Sequence, residues 1–185
     1  MLTLEKVKGK KLTEKAKELY LTAFPAEERM PFFMLMSRTK KKNVDYFAVT
    51  EYGVFKGTVY IVRMNDIVYI FYLAVSPDCR NGGYGSQILT KIKEQYPHCR
   101  FVLNIETTDE AQGDDDIRTR RCGFYYRNGF KKLDYKVKEG PVVYDMLCIA
   151  PDDYPVTEAE YTAIMRDYLG PVIYPMYRLI SRHTD

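Results

Sequence analysis

Histidine is nearly missing from this sequence, with two in 185 residues. The four cysteines, Cys79, Cys99, Cys122 and Cys148, stand 20, 23 and 26 residues apart, and no CxxC pair occurs. Metal sites built from Cys and His need closely spaced ligands, so no metal is expected. The thiols read as free ones in a reducing compartment. Cys79 suits a small buried residue at least as well as a nucleophile. Long apolar runs are lacking too: none approaches the roughly 18 residues of a membrane helix, so no membrane partner is expected. Met1-Leu2-Thr3-Leu4-Glu5-Lys6 has no apolar core of a signal peptide, and the expected location is cytoplasmic. Neither sign of charge is in excess. Against 25 acidic residues there are 28 basic ones, and a net +3 is too balanced to imply nucleic acid or an anionic surface. Two phosphate motifs are also missing. GxxxxGK[ST] does not occur, which disfavours a nucleoside triphosphate clamp. The glycines at 82, 83 and 85 fail GxGxxG, which disfavours a dinucleotide fold.

What is present centres on residues 66–96. Ile67-Val68-Tyr69-Ile70-Phe71-Tyr72-Leu73-Ala74-Val75 runs without a charge or a breaker and reads as a strand covered on both faces. Ser76-Pro77-Asp78 stops it. Arg80-Asn81-Gly82-Gly83-Tyr84-Gly85-Ser86 follows, and then residues 87–96, where Ile88, Leu89, Ile92 and Tyr96 fall at helical spacing. Strand, glycine loop and helix in that order make an anion site. Glycine lets the backbone approach a ligand, and the first helical turn points free N–H groups and the positive dipole end at it.

The remainder sorts around this unit. With 185 residues, 46% of them apolar, the chain suffices for one domain with a real core. Residues 2–8 read as a short strand. Residues 10–24 read as a helix with Leu12, Ala16, Leu19, Tyr20 and Ala23 on one stripe and Thr13 as its cap; a second short helix spans 26–36. Strands at 45–51 and 54–63 meet at Tyr52-Gly53 as a hairpin. A strand at 100–107 should run parallel to the central one, since a crossover helix joins them. Helix 117–128 stops at Gly129, strands 131–138 and 141–149 form a last hairpin, and helix 157–169 opens with a Thr157/Glu160 capping box. Residues 1–150 are expected to form the domain, with 151–185 a C-terminal helix and tail packed on it. For residues 170–185, packing over the acceptor side and contact with a second subunit, as a homodimer, both stay open.

Arg80, Gly83 and Gly85 spell R-x-x-G-x-G after an apolar strand, and about 40 residues on comes Phe124-Tyr125-Tyr126-Arg127-Asn128-Gly129-Phe130. The first resembles the acetyl-coenzyme A loop of the GCN5-related N-acetyltransferase (GNAT) family, and the second that family's F-Y-x-x-x-G-F phrase. The resemblance implies an α/β (α+β mixed sheet) class with the acyl-CoA N-acyltransferase fold. That fold has a central, mostly antiparallel sheet of about six or seven strands with a splayed parallel pair, flanked by four or five helices. It implies acetyl-CoA as co-substrate, no metal, and a small-molecule or peptide amine as acceptor. Residues 80–86, Arg80, Asn81, Gly82, Gly83, Tyr84, Gly85 and Ser86, would hold the diphosphate. Leu73, Ala74 and Val75 would pair with the pantetheine arm and polarise the thioester carbonyl. Tyr125 would protonate the departing sulfur. Phe24-Pro25-x-x-Glu28-Arg29 also resembles a phrase of some bacterial members beside the acceptor pocket, which marks Glu27 and Glu28 as candidates. One departure stands out: where many members carry Asn and Ala, this chain has Arg118 and Arg121. One helical turn apart, they are placed for phosphates or for the acidic run 108–116.

From the residues themselves, Glu106, late in the parallel strand, is the candidate base for the amine, with a surface glutamate the bland alternative. Tyr69 and Tyr72 lie on opposite faces of the central strand, so one of them should face an acceptor. Acidic run 108–116 is either a solvated loop or an attractor for a cationic acceptor. Two other classes remain: a non-catalytic acyl-CoA-binding or sensor module on the same scaffold, and a nucleotide-binding protein using the loop for another phosphate.

Overall fold

The computed structural model describes residues 1–109, 113, 116–151 and 153–184, and for 182–184 the backbone alone. Glu110, Asp114 and Asp115 of the acidic run thus lie outside the described residues. In chain order the elements are β1 (Leu2–Lys6), α1 (Lys10–Ala23), a 3-10 turn (Ala26–Glu28), α2 (Phe32–Arg38), β2 (Val44–Glu51), β3 (Val54–Met64) and β4 (Ile67–Val75). A second 3-10 turn (Pro77–Cys79) leads to α3 (Tyr84–Gln95), β5 (Arg100–Glu106), α4 (Ile117–Arg127), β6 (Lys131–Glu139), β7 (Val142–Ile149), α5 (Glu158–Ile180) and β8 (Ser181–Thr184). The strands form one sheet in the order β1-β2-β3-β4-β5-β7-β6-β8, and β4 and β5 are the parallel pair. Eight strands are described where six or seven were expected; the added one is β8, in the tail. Two compact units divide the chain, Met1–Arg63 with Ile70–Pro97, and Met64–Tyr69 with His98–Asp185.

In the first unit, β1 and β3 both pair antiparallel with β2. Tyr52 and Gly53 join β2 to β3 with φ of 50° and 76°, the double positive φ of a two-residue hairpin turn. Nearby, Val49 faces Gly57 and Thr50 faces Phe55, so Lys56 is an extra residue in a bulge. Its carbonyl accepts from the Ser76 N–H at 2.8 Å. Gly57 has to be glycine here: a Cβ would stand closer to the Ala74 carbonyl oxygen than side chains tolerate, and 3.2 Å from Val75 Cα. α1 buries Ala16, Leu19 and Tyr20, as its stripe predicts, but its cap is Gly9 and not Thr13. The helix expected over 26–36 is broken in two. Pro31 lacks an N–H and pushes the residue before it out of the α region, so a 3-10 turn precedes α2. α3 begins three residues earlier than expected because Gly83, left-handed at φ 74°, serves as its N-cap. Its Ile88, Leu89 and Ile92 are fully buried, each contributing about 1.5–3 kcal/mol.

In the second unit β5 pairs parallel with β4 through Ile67↔Arg100, Val68↔Phe101 and Tyr69↔Val102, and antiparallel with β7 from Phe101 to Glu106. Arg100 is buried and fully engaged: it donates to both oxygens of Asp66 (2.8 and 3.0 Å), both of Glu160 (2.7 and 3.1 Å) and the Pro155 carbonyl. Its guanidinium also lies 3.8 Å from the Tyr154 ring centroid. Asp145, a lone acid in the apolar run of β7, is buried and held by Lys132 at 2.8 Å, with Lys136 at 3.7 Å. Helix α5 starts with the expected capping box, Thr157 accepting from the Glu160 N–H. At Gly170 (φ 72°, ψ 177°) it kinks, and residues 171–180 continue as a second helical segment. Pro171 and Pro175 made that segment illegible; Pro171 stands in its first turn, where a missing N–H forfeits no hydrogen bond.

Candidate functional site

The glycine loop belongs wholly to the first unit. After the 3-10 turn Pro77–Cys79, Asn81 (φ 62°) and Gly83 (φ 74°) take left-handed backbone that turns the chain into α3. Arg80, Asn81, Gly82 and Gly83 are exposed, while Tyr84, Gly85 and Ser86 are half-buried. The first α-helical hydrogen bond is that of the Gln87 N–H to the Gly83 carbonyl (3.2 Å), so the N–H groups of Tyr84, Gly85 and Ser86 have no acceptor within the helix. No acidic side chain stands in that turn to neutralise the dipole. The Tyr84 phenol points away from a ligand role: it donates to Glu51 Oε2 at 2.7 Å, and Lys56 Nζ stands 4.9 Å from its ring centroid. The hydrogen bond to Glu51 raises the pKa of the Tyr84 phenol, and a separate one between Tyr84 and Lys56 raises that of the Lys56 ammonium. Tyr84 is therefore a brace between the loop and the β2–β3 hairpin.

Upstream of the loop, Ala74 is buried and Leu73 and Val75 are half-buried on β4. Tyr72, one residue earlier, donates to the Glu28 carbonyl at 2.9 Å and accepts from the Met30 N–H at 3.4 Å. Tyr20 donates to the Met30 carbonyl at 2.9 Å, and its ring meets that of Tyr72 edge-on at 5.0 Å. The turn carrying Glu27, exposed, and Glu28, half-buried, is thereby hung on β4. Tyr69 does something else. It lies in the second unit with no exposed surface, its hydroxyl donating to Asn104 Oδ1 at 2.9 Å and its ring edge-on to Tyr161.

The two proton-transfer candidates lie in the second unit. Glu106, last residue of β5, faces Tyr144 in the ladder to β7, and its carboxylate is 3.8 Å from Arg118 Nη1. Asp116 caps α4 by accepting from the Arg118 N–H (2.8 Å), and it also binds the Arg118 side chain at 2.8 Å. Between the two expectations for Arg118, phosphates or the acidic run, its described partners are carboxylates. Tyr125 is half-buried, with rings of Phe124 and Phe130 at 5.0 and 5.5 Å. Burial pushes its phenol up to about 12, and the charge of Arg121 pulls the other way.

Residues 42–132 match the family described as Acetyltransferase (GNAT) domain. The fold agrees. A GNAT-family structure from Bacteroides thetaiotaomicron superposes with a TM-score of 0.72 at 21% identity, covering 94% of this chain and 98% of that one. Residues 42–132 thus form a GNAT acetyltransferase domain. Two further GNAT-fold structures are an aminoglycoside 6'-N-acetyltransferase complexed with coenzyme A and a spermidine N-acetyltransferase from Vibrio cholerae. The first has a TM-score of 0.65 at 12% identity, covering 82% of this chain and 99% of that one. The second has 0.58 at 12%, covering 80% and 92%. No curated protein matches the sequence.

Within this GNAT chain the loop suits a diphosphate on its own geometry. It offers three helix-terminal amides, an exposed Arg80, and a glycine N-cap where a bulkier left-handed residue would be strained. The brace of Glu51 and Lys56 on Tyr84 was not foreseen, and residues 28 and 33 positions away in sequence carry no signal of it. Asp116 as a helix cap was legible: an Asp directly before a helical run is an ordinary start signal. Among the described residues, no group of three or more His, Cys, Asp or Glu is placed to hold a metal ion, and no helix is long and apolar enough to cross a membrane.

Proposed function

We propose that this GNAT protein transfers the acetyl group of acetyl-CoA to a primary amine of a small molecule or peptide, by direct attack in a ternary complex. The observation that carries the reading is the loop: left-handed backbone at Asn81 and Gly83 opens α3, the N–H groups of 84–86 have no acceptor within the helix, and no acidic residue stands in its first turn. When bound, acetyl-CoA supplies an acyl group activated as a thioester. The protein supplies the rest. Amides of Tyr84, Gly85 and Ser86, with Arg80, hold the diphosphate. Backbone of Leu73, Ala74 and Val75 pairs with the pantetheine arm and donates to the carbonyl oxygen as negative charge develops. Glu106, acting through water, takes the proton of the ammonium, whose pKa lies far above that of a carboxylate. Tyr125 protonates the sulfur as it leaves, and the proton shed by the attacking nitrogen as the amide forms returns to the phenol.

Glu27 and Glu28 on the turn tied to Tyr72 favour a cationic acceptor, and the aminoglycoside and spermidine enzymes of similar fold make those amines the first to try. Polyamines, aminoglycosides, amino acids, arylalkylamines and peptides are to be screened by release of free thiol, with calorimetry of acetyl-CoA, CoA and ATP alongside. Tight acetyl-CoA binding with thiol release supports the reading, and binding of ATP in place of CoA would overturn it. A second reading, a non-catalytic acyl-CoA sensor, draws on Arg118 standing 3.8 Å from Glu106, where its guanidinium competes with an amine for that carboxylate. It predicts coenzyme binding with no thiol released by any amine. The free thiols favour the cytoplasm as its location.

A further inference from the structure

Lys56, the extra residue of the bulge in β3, meets the glycine loop and its approach at three points. Its carbonyl accepts from the Ser76 N–H at 2.8 Å, just past the end of β4. Its ammonium stands 4.9 Å from the ring centroid of Tyr84, the first residue of α3, and bonds the phenol there. It is also close enough to the Cys79 thiol, one residue before Arg80, to interact with it electrostatically. A bulge re-aims the side chain it inserts. Here that side chain is a cation beside both ends of one loop.

We propose that Lys56 is a second cation for the diphosphate, its ammonium leaving Tyr84 to donate to a phosphate oxygen when coenzyme binds. The proposal rests on the acetyl-CoA reading of the loop. Charge argues for it: a coenzyme diphosphate carries a negative charge on each phosphorus, and the run 80–86 holds a single cation, Arg80, to meet them. Tyr84 keeps a further one at hand. Its hydrogen bond, helped by the Glu51 carboxylate, raises the pKa of Lys56, so the side chain stays an ammonium at neutral pH. A lysine's flexible stem and rotatable donors let it exchange a phenol oxygen for a phosphate oxygen.

The test is calorimetric titration of the full chain with CoA and with dephospho-CoA, which keeps the diphosphate and lacks the 3′-phosphate. The wild type should bind both. If it binds neither, the acetyl-CoA reading itself fails and the role of Lys56 falls with it. Lys56→Met keeps a side chain of similar length over the Tyr84 ring and should weaken both ligands about tenfold, whereas Lys56→Arg should stay within about threefold of wild type. The loss should shrink as ionic strength rises from about 0.01 M to about 1 M, over which the Debye length falls from about 30 to about 3 Å. A merely structural loss would not respond to salt. Lys8→Met, at an exposed lysine of the same unit, controls for net charge and should leave affinity unchanged. Unchanged affinity in Lys56→Met overturns the proposal, as does a loss that salt does not reduce. A loss confined to CoA overturns it too, since that would put Lys56 on the 3′-phosphate. Circular dichroism checks that the variant folds. Should it not, reductive methylation of the wild type, read by mass spectrometry, replaces it: saturating CoA should slow modification of Lys56 several-fold, and an unchanged rate refutes the proposal.

Discussion

Gly57 offers the most direct probe of how packing in the first unit supports the coenzyme strand. The substitution is Gly57→Ala. Its added methyl collides with backbone, the Ala74 carbonyl oxygen and, at 3.2 Å, Val75 Cα, and backbone cannot rotate aside as a flexible side chain would. Strand β3 or β4 must therefore move by several tenths of an ångström or more. Overpacking of this kind costs about 1–3 kcal/mol. The adjacent bond from the Ser76 N–H to the Lys56 carbonyl, 2.8 Å in the native chain, resists the shift, and straining it adds about 1 kcal/mol. A total of about 3 kcal/mol should lower Tm by roughly 6–12 °C in a chain of this size. The same shift displaces Ala74 and Val75, so acetyl-CoA affinity should fall as well, on the order of tenfold or more. Thermal unfolding by circular dichroism and calorimetric titration well below Tm read the two effects. Gly53→Ala is the control: nothing lies within 4 Å of its Cβ, so only the strain of its positive φ of 76° is felt, about 1 kcal/mol, with coenzyme affinity intact. A Gly57→Ala protein with unchanged Tm and unchanged coenzyme affinity would refute the reasoning.

Arg100→Met should lose about 1–2 kcal/mol at neutral pH, since Asp66 and Glu160 keep 40% and 30% of their side-chain surface in water. Hydrogen bonds from Arg100 hold Asp66 and Glu160 below the usual carboxylate range, so their stabilisation is complete above about pH 5 and drains away as pH falls through the folded values. Wild-type Tm should drop on that acid limb more steeply than the variant's, and equal slopes would count against the clamp. Tyr125→Phe should lower turnover about 10–100-fold while leaving acetyl-CoA affinity within about twofold; lost affinity with normal turnover would remove Tyr125 from the leaving-group role. Arg80→Ala and Gly83→Asp should each abolish measurable coenzyme binding in calorimetry, the second by setting a carboxylate where the amides receive a diphosphate. Normal binding by both would sink the loop assignment.

Sequence alone determined the local grammar of this protein. Nine uncharged apolar residues, a glycine turn and an amphipathic helix made β4, the loop and α3 legible, because strand length, left-handed turns and helical spacing are decided within a few residues. The F-Y-x-x-x-G-F phrase spoke by its resemblance to the family instead. Where local signals conflicted, the reading stopped: Pro171 and Pro175 hid residues 171–180, and Pro31 split a helix that periodicity had drawn whole. Only the tertiary structure decided what each candidate side chain touches. Tyr69 and Tyr72, three residues apart and both aromatic, part company because one face of β4 meets Tyr161 and Asn104 and the other meets Tyr20 and the Glu28 turn. Glu51, Lys56 and Tyr84 converge across sequence gaps of about 30 residues, and Arg118 found carboxylates. Long-range contacts of this kind depend on strand order and register, which no short window of residues contains.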